Sequence, residues 1–246
     1  MAPFLALFLL MLSLISSTSS SQNHLKLLHQ EGDKDVYCES WRFAAETDDL
    51  LKWNTTPKEC MEYVKSYISM GQYELDLFFV AKRALEYAKT LRLAGGGKDI
   101  WIFDIDETLI STIGQPGSKV PTEFVTESSA GSEIPRALPS ILWLYNELRA
   151  LGFEIVIMSI RLQDQRNATV NQLLNAGYNN SWAALILRGN YDLENPVTFF
   201  KADMRGQLSE LGYIIHGNVG DQWSDMWGPP MARRSFKLPN PMYYVF

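Results

Sequence analysis

A short buried strand that runs straight into two carboxylates is the most constraining feature of this chain. Residues 98–110 read K-D-I-W-I-F-D-I-D-E-T-L-I, and residues 100–103 have the apolar, β-branched and aromatic character of a buried strand. Asp104 and Asp106 follow at once, with Thr108 two positions further on. Acids at the carboxyl end of a strand lie where open α/β sheets bind ligands, and two such anions repel unless a cation such as Mg²⁺ joins them. The alternative is a loop of solvated acids in which Thr108 caps the next helix.

Short apolar strands alternate with amphipathic helices over most of the chain. The predicted strands are residues 100–103, 154–158, 184–187 and 213–215, and the predicted helices are residues 57–71, 73–91, 139–151, 163–176 and 197–211. On the second of these helices we expect an apolar side formed by Leu75, Phe78, Phe79, Ala81, Leu85 and Ala88. The alternation predicts an α/β fold with a mainly parallel sheet flanked by helices.

The predicted chain has three parts. Residues 1–21 carry no charged side chain and contain an apolar run followed by small polar residues, which is typical of a signal peptide; a buried N-terminal helix is the alternative. Residues 22–96 form an N-terminal extension with a helical segment, and residues 97–246 form the α/β core. Within the core, residues 114–132 are rich in Pro, Gly, Ser and Thr and have no clear periodicity.

Other features favour passage through the secretory pathway. Cys38 and Cys60 are the only two cysteines, a number that favours one disulfide in a secreted chain, with free buried thiols as the alternative. The triplets beginning at Asn54, Asn167 and Asn179 match the N-glycosylation sequon. The formal charge of −6 offers no basic surface for nucleic acid, and after the leader no segment is apolar enough to cross a membrane.

Polar groups follow each of the predicted strands. Strand one is followed by Asp104, Asp106 and Thr108, strand two by Ser159, the next helix carries Lys201, and strand four is followed by Asp221 and Asp225. The set suits phosphoryl transfer, in which Asp104 attacks phosphorus and Asp106 protonates the leaving alcohol and later deprotonates water. Mg²⁺ and Lys201 would neutralise the phosphoryl charge, and Ser159 would position its oxygens. The three histidines are too few for a phosphohistidine or multi-histidine metal site, and we predict that His216 is a packed core residue.

These residues resemble the four motifs of the haloacid dehalogenase (HAD) superfamily. F-D-I-D-E-T-L at residues 103–109 and G-D-Q-W-S-D at residues 220–225 resemble the first and last motifs, with Ser159 and Lys201 between them. The chain more closely resembles the plant acid phosphatases and vegetative storage proteins of subfamily IIIB. This resemblance covers nearly the whole mature chain, including residues 37–41, 97–99, 165–169 and 236–241.

The resemblance implies a Rossmann-like HAD core with a short cap insert at about residues 111–137. It also implies a secreted or vacuolar, Mg²⁺-dependent acid phosphatase acting on small phosphomonoesters, and it leaves a homodimer open. Asp104 would be the nucleophile and Asp106 the acid/base, while Ser159, Lys201 and Thr108 would contact phosphate. The Mg²⁺ ligands would be Asp104, the backbone carbonyl of Asp106, and Asp221, supported by Asp225.

Two departures from the family pattern bear on activity. The family usually has T-G-R or S-D-R at its second motif, where this chain has Ser159-Ile160-Arg161. A β-branched Ile160 is unsuited to a positive φ and adds bulk beside the phosphate site. The segment after Thr108 is also shorter than usual and lacks the family's paired tyrosines. A vegetative storage protein that keeps the fold with weak or no phosphatase activity is therefore the alternative, whereas a carbohydrate- or protein-binding module has no support beyond aromatic side chains.

Overall fold

The structure, a computed structural model, describes residues 34–50, 53–125 and 135–245. The predicted signal peptide at residues 1–21 lies outside the described residues, as do residues 126–134 of the predicted cap insert. The helices are α1 (Lys34–Glu46), α2 (Met61–Ser69), α3 (Gln72–Ala88), α4 (Pro139–Ala150), α5 (Arg166–Asn175) and α6 (Val197–Glu210). The strands are β1 (Asp99–Phe103), β2 (Ile110–Ser111), β3 (Arg136–Ala137), β4 (Glu154–Leu162), β5 (Ala184–Arg188), β6 (Ile214–Gly220) and β7 (Arg234–Lys237).

Five parallel strands form the central sheet, in the order β5-β4-β1-β6-β7. β1 lies in the middle, where Ile102 pairs with Val156 of β4 on one side and with Asn218 of β6 on the other. From β1 the chain builds outward through β4 and β5, and then returns to the opposite side of β1 with β6 and β7. This reversal makes a topological switch point beside β1, where open parallel sheets bind ligands at the carboxyl ends of their strands. The predicted α/β class is confirmed.

Both faces of the sheet are buried, and β1 contributes alternate side chains to the two cores. Trp101 and Phe103 face the larger core, which contains residues of α3 and α4, whereas Ile100 and Ile102 face a second core that includes Leu208 of α6. This alternation follows from the two-residue period of a strand. Because each face is covered, β1 is a continuous apolar run, and its four large side chains are exposed by no more than 2%.

The predicted apolar side of the second helix was partly wrong. Leu75, Phe78 and Phe79 of α3 are 58%, 44% and 58% exposed. The buried side of α3 consists instead of Tyr73, Leu77, Ala81, Ala84, Leu85 and Ala88. Apolar residues cover most of this helix, so its own pattern leaves the buried face undecided. The face that packs carries three alanines, and their small side chains allow a close approach to the layer beneath.

The N-terminal helices pack against the C-terminal segment of the chain. A disulfide joins Cys38 of α1 to Cys60, immediately before α2. Around it lies a separate buried cluster that includes Trp41, Val64 and Met242. Among the described residues, no helix has both the length and the apolar character needed to cross a membrane.

Several strands differ from the prediction, and β6 runs to Gly220 instead of ending at Ile215. β4 continues to Leu162 instead of stopping before Ser159, and β7 was not predicted because its four residues, R-S-F-K, have no apolar run. The antiparallel pair of β2 and β3 was also missed, since two-residue strands have no detectable period. This pair joins Ile110 to Ala137 and Ser111 to Arg136, so it closes the base of the segment between them.

Candidate active site

The loop after β1 turns two carboxylates toward the carboxyl edge of the sheet. The backbone N–H of Asp104 still donates to the carbonyl oxygen of Val219 in β6 at 3.0 Å, so this residue is anchored to the sheet. Beyond it the chain bends sharply, with Glu107 at a φ of +54°. The N–H groups of Leu109 and Ile110 both donate to the carbonyl of Ile105, at 2.9 and 3.0 Å. This tight turn fixes the two acids, Asp104 and Asp106, on a rigid backbone.

Three buried carboxylates meet at the centre of the site. Oxygens of Asp104, Asp221 and Asp225 lie within 4.8 Å of one another, and all three residues are buried. Lys201, from the second turn of α6, donates to Asp104 Oδ1 at 2.7 Å and also to Asp225 Oδ1. Asp225 reaches this position because β6 ends in glycine: a Cβ at Gly220 would overlap the Asp225 carboxylate. The structure therefore brings together four of the predicted site residues, which come from α6 and from the segments that follow β1 and β6.

Burial and mutual repulsion dominate the electrostatics of this cluster. Burial raises the pKa of Asp104 well above its ordinary value; Lys201 opposes the rise, and the neighbouring acids add to it. Burial together with Asp225 raises the pKa of Asp221 to about 6. Burial alone would lower the pKa of Lys201, but the charges of Asp104 and Asp225 raise it instead. A single ammonium thus faces three carboxylates, and the cluster has an excess of negative charge.

Amide side chains hold Asp221 in place. Gln222 Nε2 and Asn240 Nδ2 each donate to Asp221 Oδ2 at 2.6 Å, and Thr108 Oγ1 donates to Asp221 Oδ1 at 3.3 Å. The backbone N–H of Gln222 also donates to Asp225 Oδ2 at 2.9 Å. The role of Asn240 could not be read from local pattern, because it lies in a C-terminal segment that has no strand or helix.

Asp106 is held by an arginine whose role the sequence analysis did not assign. Arg161 Nε lies 3.1 and 2.9 Å from the two oxygens of Asp106, and its Nη2 lies 2.5 Å from Oδ1. The other guanidinium nitrogen, Nη1, donates to Gln172 Oε1 at 2.6 Å. This forked contact fixes the direction of the carboxylate as well as its charge. The position of Arg161 in the second motif was the available signal.

A second buried acid, Glu107, supports the loop and was also missed. Glu107 Oε1 accepts hydrogen bonds from the N–H and the hydroxyl of Thr112 at 2.6 and 2.7 Å. Burial raises its pKa to about 7, against the effect of those two bonds. Glu107 therefore ties the loop after β1 to the start of the segment that covers the site.

A cavity of about 670 Å³ opens onto the carboxylates. Its walls include Asp104, Asp106 and Lys201, the covering segment from Gln115 to Lys119, and the C-terminal residues Tyr243 and Val245. Ser159 and Thr108 are both fully buried and are not part of the wall, so their predicted contact with phosphate stays a prediction. Ser159 Oγ instead accepts a hydrogen bond from the N–H of Arg161 at 3.2 Å.

Ile160 lies in the cavity wall, within strand β4. The expected conflict between its β-branched side chain and a positive φ does not arise. Among the described residues other than glycine, positive φ occurs only at Asp48 and Glu107. Ile160 therefore adds apolar surface to the site without straining the backbone.

Two other predicted features can be located. His216 of β6 is 1% exposed, and its Nε2 lies 2.7 Å from Oδ1 of Asp99 at the start of β1, as expected for a packed core histidine. The three sequon asparagines, Asn54, Asn167 and Asn179, are all exposed.

The fold and this site define a class: parallel α/β proteins that carry a buried acidic cluster and a lysine at the switch point of the sheet. A family model described as HAD superfamily, subfamily IIIB (Acid phosphatase), matches residues 23–246. Acid phosphatase 1 of Solanum lycopersicum is 38% identical over 250 residues, covering 97% of this chain and 98% of that protein. Vegetative storage protein 1 of Arabidopsis thaliana is 36% identical, covering 96% of this chain and 89% of that protein. The chain belongs to the HAD superfamily, subfamily IIIB (Acid phosphatase).

A solved structure agrees at the level of the fold. The class C acid phosphatase from Bacillus anthracis superposes with a TM-score of 0.55 at 17% sequence identity, covering 73% of this chain and 82% of that chain. The expected HAD-like architecture is therefore confirmed.

Proposed function

We propose that this protein is an acid phosphatase that hydrolyses small phosphomonoesters through a phosphoryl-enzyme formed on Asp104. The observation that carries the proposal is the contact of 2.7 Å between Lys201 Nζ and Asp104 Oδ1 inside the buried acidic cluster. A carboxylate nucleophile needs a fixed position and a nearby cation for the phosphoryl oxygens, and this contact supports both.

Asp104 and Asp106 would act in both steps of the reaction, the formation and the hydrolysis of the phosphoryl-enzyme. In the first step Asp104 forms a bond to phosphorus as the ester bond breaks, and Asp106 gives its proton to the departing alcohol oxygen. In the second step Asp106 takes a proton from water, and that water attacks phosphorus and releases Asp104 and inorganic phosphate. Lys201 stays charged through both steps, which is consistent with the upward shift of its pKa beside Asp104 and Asp225.

The acidic cluster fits a divalent cation. Three buried carboxylates face one ammonium, and the hydroxyl of Ser224, in the cavity wall, is buried without a hydrogen-bond partner among the described residues. An all-oxygen set of this kind suits Mg²⁺, and we assign it to Asp104, Asp221 and the backbone carbonyl of Asp106, with Asp225 in support. When bound, Mg²⁺ would supply positive charge to the phosphoryl oxygens. Ser159 and Thr108 remain proposed phosphate contacts, and each would have to move to reach the cavity.

A phosphatase assay on the mature protein tests the proposal. We expect hydrolysis of phenyl phosphate that EDTA abolishes and Mg²⁺ restores. Asp104→Asn keeps the shape of the side chain but removes the nucleophile, and should lower kcat by about 10³-fold or more. Asp203→Asn, at an exposed acid on α6, should stay within about twofold of the unmodified protein. Turnover that survives in Asp104→Asn would show that the nucleophile is wrong.

We also propose that the protein passes through the secretory pathway to the vacuole or the cell exterior. The disulfide between Cys38 and Cys60 supports this, because such bonds persist in oxidising compartments, and the three sequon asparagines are exposed. Expression in plant cells should give a chain that begins after about residue 21 and loses mass on deglycosylation. A cytosolic, unmodified chain would contradict the proposal. A homodimer remains a prediction, to be tested by light scattering.

A storage role is the second candidate, and the relatives named as vegetative storage proteins favour it. Storage requires abundance but no turnover, whereas this chain retains the complete acidic cluster with its lysine. Phosphatase turnover near background, together with accumulation to a large share of tissue protein, would favour storage over catalysis.

A further inference from the structure

Lys119 is a cationic side chain of the cavity wall that makes no hydrogen bond or ion pair with any residue that the structure describes. It lies in the covering segment that follows β2. The other cations of the wall are engaged: Lys201 and Arg161 pair with site carboxylates, and Arg188 donates to the backbone carbonyl of Asp192. Among the cations of the described cavity wall, Lys119 is thus the one that is available to bind a ligand.

Lys119 shares the cavity wall with Asp106. Burial in the cleft lowers the pKa of Lys119, and among the acids that oppose this shift Asp106 has the largest effect, ahead of Asp104 and Asp221. Asp106 is the residue that we assign to protonating the leaving oxygen. The phosphoryl group itself has Lys201 beside its nucleophile, at 2.7 Å from Asp104 Oδ1.

The cavity also has room for more than a phosphoryl group. Its volume of about 670 Å³ falls in the range of sites that enclose a whole small molecule, about 300–1,000 Å³. Ile160, Leu162 and Val245 supply apolar surface on its walls, where a carbon skeleton can pack. A substrate whose phosphate reaches Asp104 therefore keeps its alcohol portion inside the cavity, within reach of the covering segment.

We propose that Lys119 is a specificity residue that binds a second anionic group on the alcohol portion of the substrate. The preferred substrates would then be phosphomonoesters that carry a carboxylate or a further phosphate, rather than esters of neutral alcohols. This inference rests on the proposed phosphatase activity and adds a substrate class to it. Because Lys119 is exposed and solvent screens its charge, a contact of this kind should change kcat/KM by about 3- to 10-fold.

Three esters of matched size test the proposal: phenyl phosphate, 3-carboxyphenyl phosphate and 3-(aminomethyl)phenyl phosphate. Lys119→Gln should lower kcat/KM for the carboxylated ester by about 3- to 10-fold while phenyl phosphate changes less than about twofold. Lys119→Glu should turn the preference toward the aminomethyl ester, and Lys119→Arg should keep the original one. Lys82→Gln, at an exposed lysine on α3, is the control and should change none of the three.

The outcomes distinguish a failure of this inference from a failure of the proposed phosphatase activity. An equal loss on all three esters in Lys119→Gln would place Lys119 on the phosphoryl group and overturn the proposal, as would no loss on any of them. Melting curves of the variants identify any loss of activity that misfolding causes. If Lys119→Gln misfolds, the substrate preferences of Lys119→Arg and Lys119→Glu decide the proposal. An unmodified protein that hydrolyses none of the esters would overturn the phosphatase assignment, and this inference with it.

Discussion

Replacing Arg161 with methionine would remove the forked contact that orients Asp106. Arg161 makes three contacts of 3.1, 2.9 and 2.5 Å with the two oxygens of Asp106, and the two side chains are 16% and 28% exposed. The remaining guanidinium nitrogen is held by Gln172 at 2.6 Å, so the fork itself is braced from α5. Without it, Asp106 keeps its backbone position but loses the group that sets the direction of its carboxyl.

The size of the effect follows from these contacts. A hydrogen bond to a charged group contributes about 1.5–3 kcal/mol, and partial exposure reduces the sum of several such bonds. A net loss of about 2–3 kcal/mol corresponds to about 10²-fold in kcat. This is within the 10²- to 10⁴-fold that a positioned general acid contributes. Arg161→Lys keeps the charge but loses the planar fork, so we expect a loss of about tenfold.

The leaving group distinguishes a positioning role from a general loss of structure. Alkyl phosphates need a proton on the departing oxygen, whereas 2,4-dinitrophenyl phosphate has a stable leaving anion that needs none. Arg161→Met should therefore lower kcat/KM, which reports the first step alone, by about 10²-fold on an alkyl phosphate and by only a few fold on the dinitrophenyl ester. If Arg161 acts only through Asp106, adding Arg161→Met to Asp106→Asn should cause little further loss.

Two results would refute this reasoning. Equal losses of kcat/KM on both esters would mean that Arg161 acts on the phosphoryl group or on folding and not through Asp106. Losses that multiply in the double variant would mean that the two side chains act independently.

Three further predictions concern stability. Gly220→Ala should lower stability by about 1–3 kcal/mol and weaken Mg²⁺ binding, because the new Cβ overlaps the cluster, whereas Gly206→Ala meets only an ordinary contact at 3.7 Å. Replacing Cys38 and Cys60 with serine opens a loop of 22 residues, which should cost about 3 kcal/mol and lower Tm by about 6–12 °C. In the metal-free protein, burial raises the pKa of Glu107 from 4.5 to about 7. Protonated Glu107 therefore contributes up to about 3 kcal/mol to the free energy of unfolding; this contribution is fully present below pH 4.5 and is lost as pH rises through 7.

Melting curves check all three. A Gly220→Ala protein that melts like Gly206→Ala, with unchanged Mg²⁺ titration, would contradict the overlap at Asp225. An unchanged Tm after removal of both cysteines would contradict the argument that the disulfide stabilises the fold by restricting the unfolded chain. Glu107→Gln should flatten the fall in stability between pH 5 and 8 in EDTA, and an unaltered slope would assign that fall to other groups.

The local signals in the sequence were enough for the fold class and for the central site residues. A buried strand followed by acids has a recognisable period, and the ends of parallel strands must meet at one edge, so Asp104 and Asp221 could be placed together in advance. Lys201 was expected at the same edge because it lies near the start of the helix that follows the third predicted strand. The same reasoning failed for α3, where apolar residues surround the helix and periodicity does not select a face. It also failed for β7, whose short polar sequence forms a strand only because β6 offers a free edge.

The sequence by itself determined which groups the site contains: the carboxylates, the lysine, and the parallel sheet that presents them. Only the tertiary structure decided how those groups are held. Arg161 meets Asp106 across 55 residues, and Asn240 reaches Asp221 from a segment without regular structure. Such contacts depend on how distant parts of the chain pack together, and local sequence periodicity does not predict them. Strand ends obey a general rule of parallel sheets, whereas the partners of each carboxylate are particular to this packed chain.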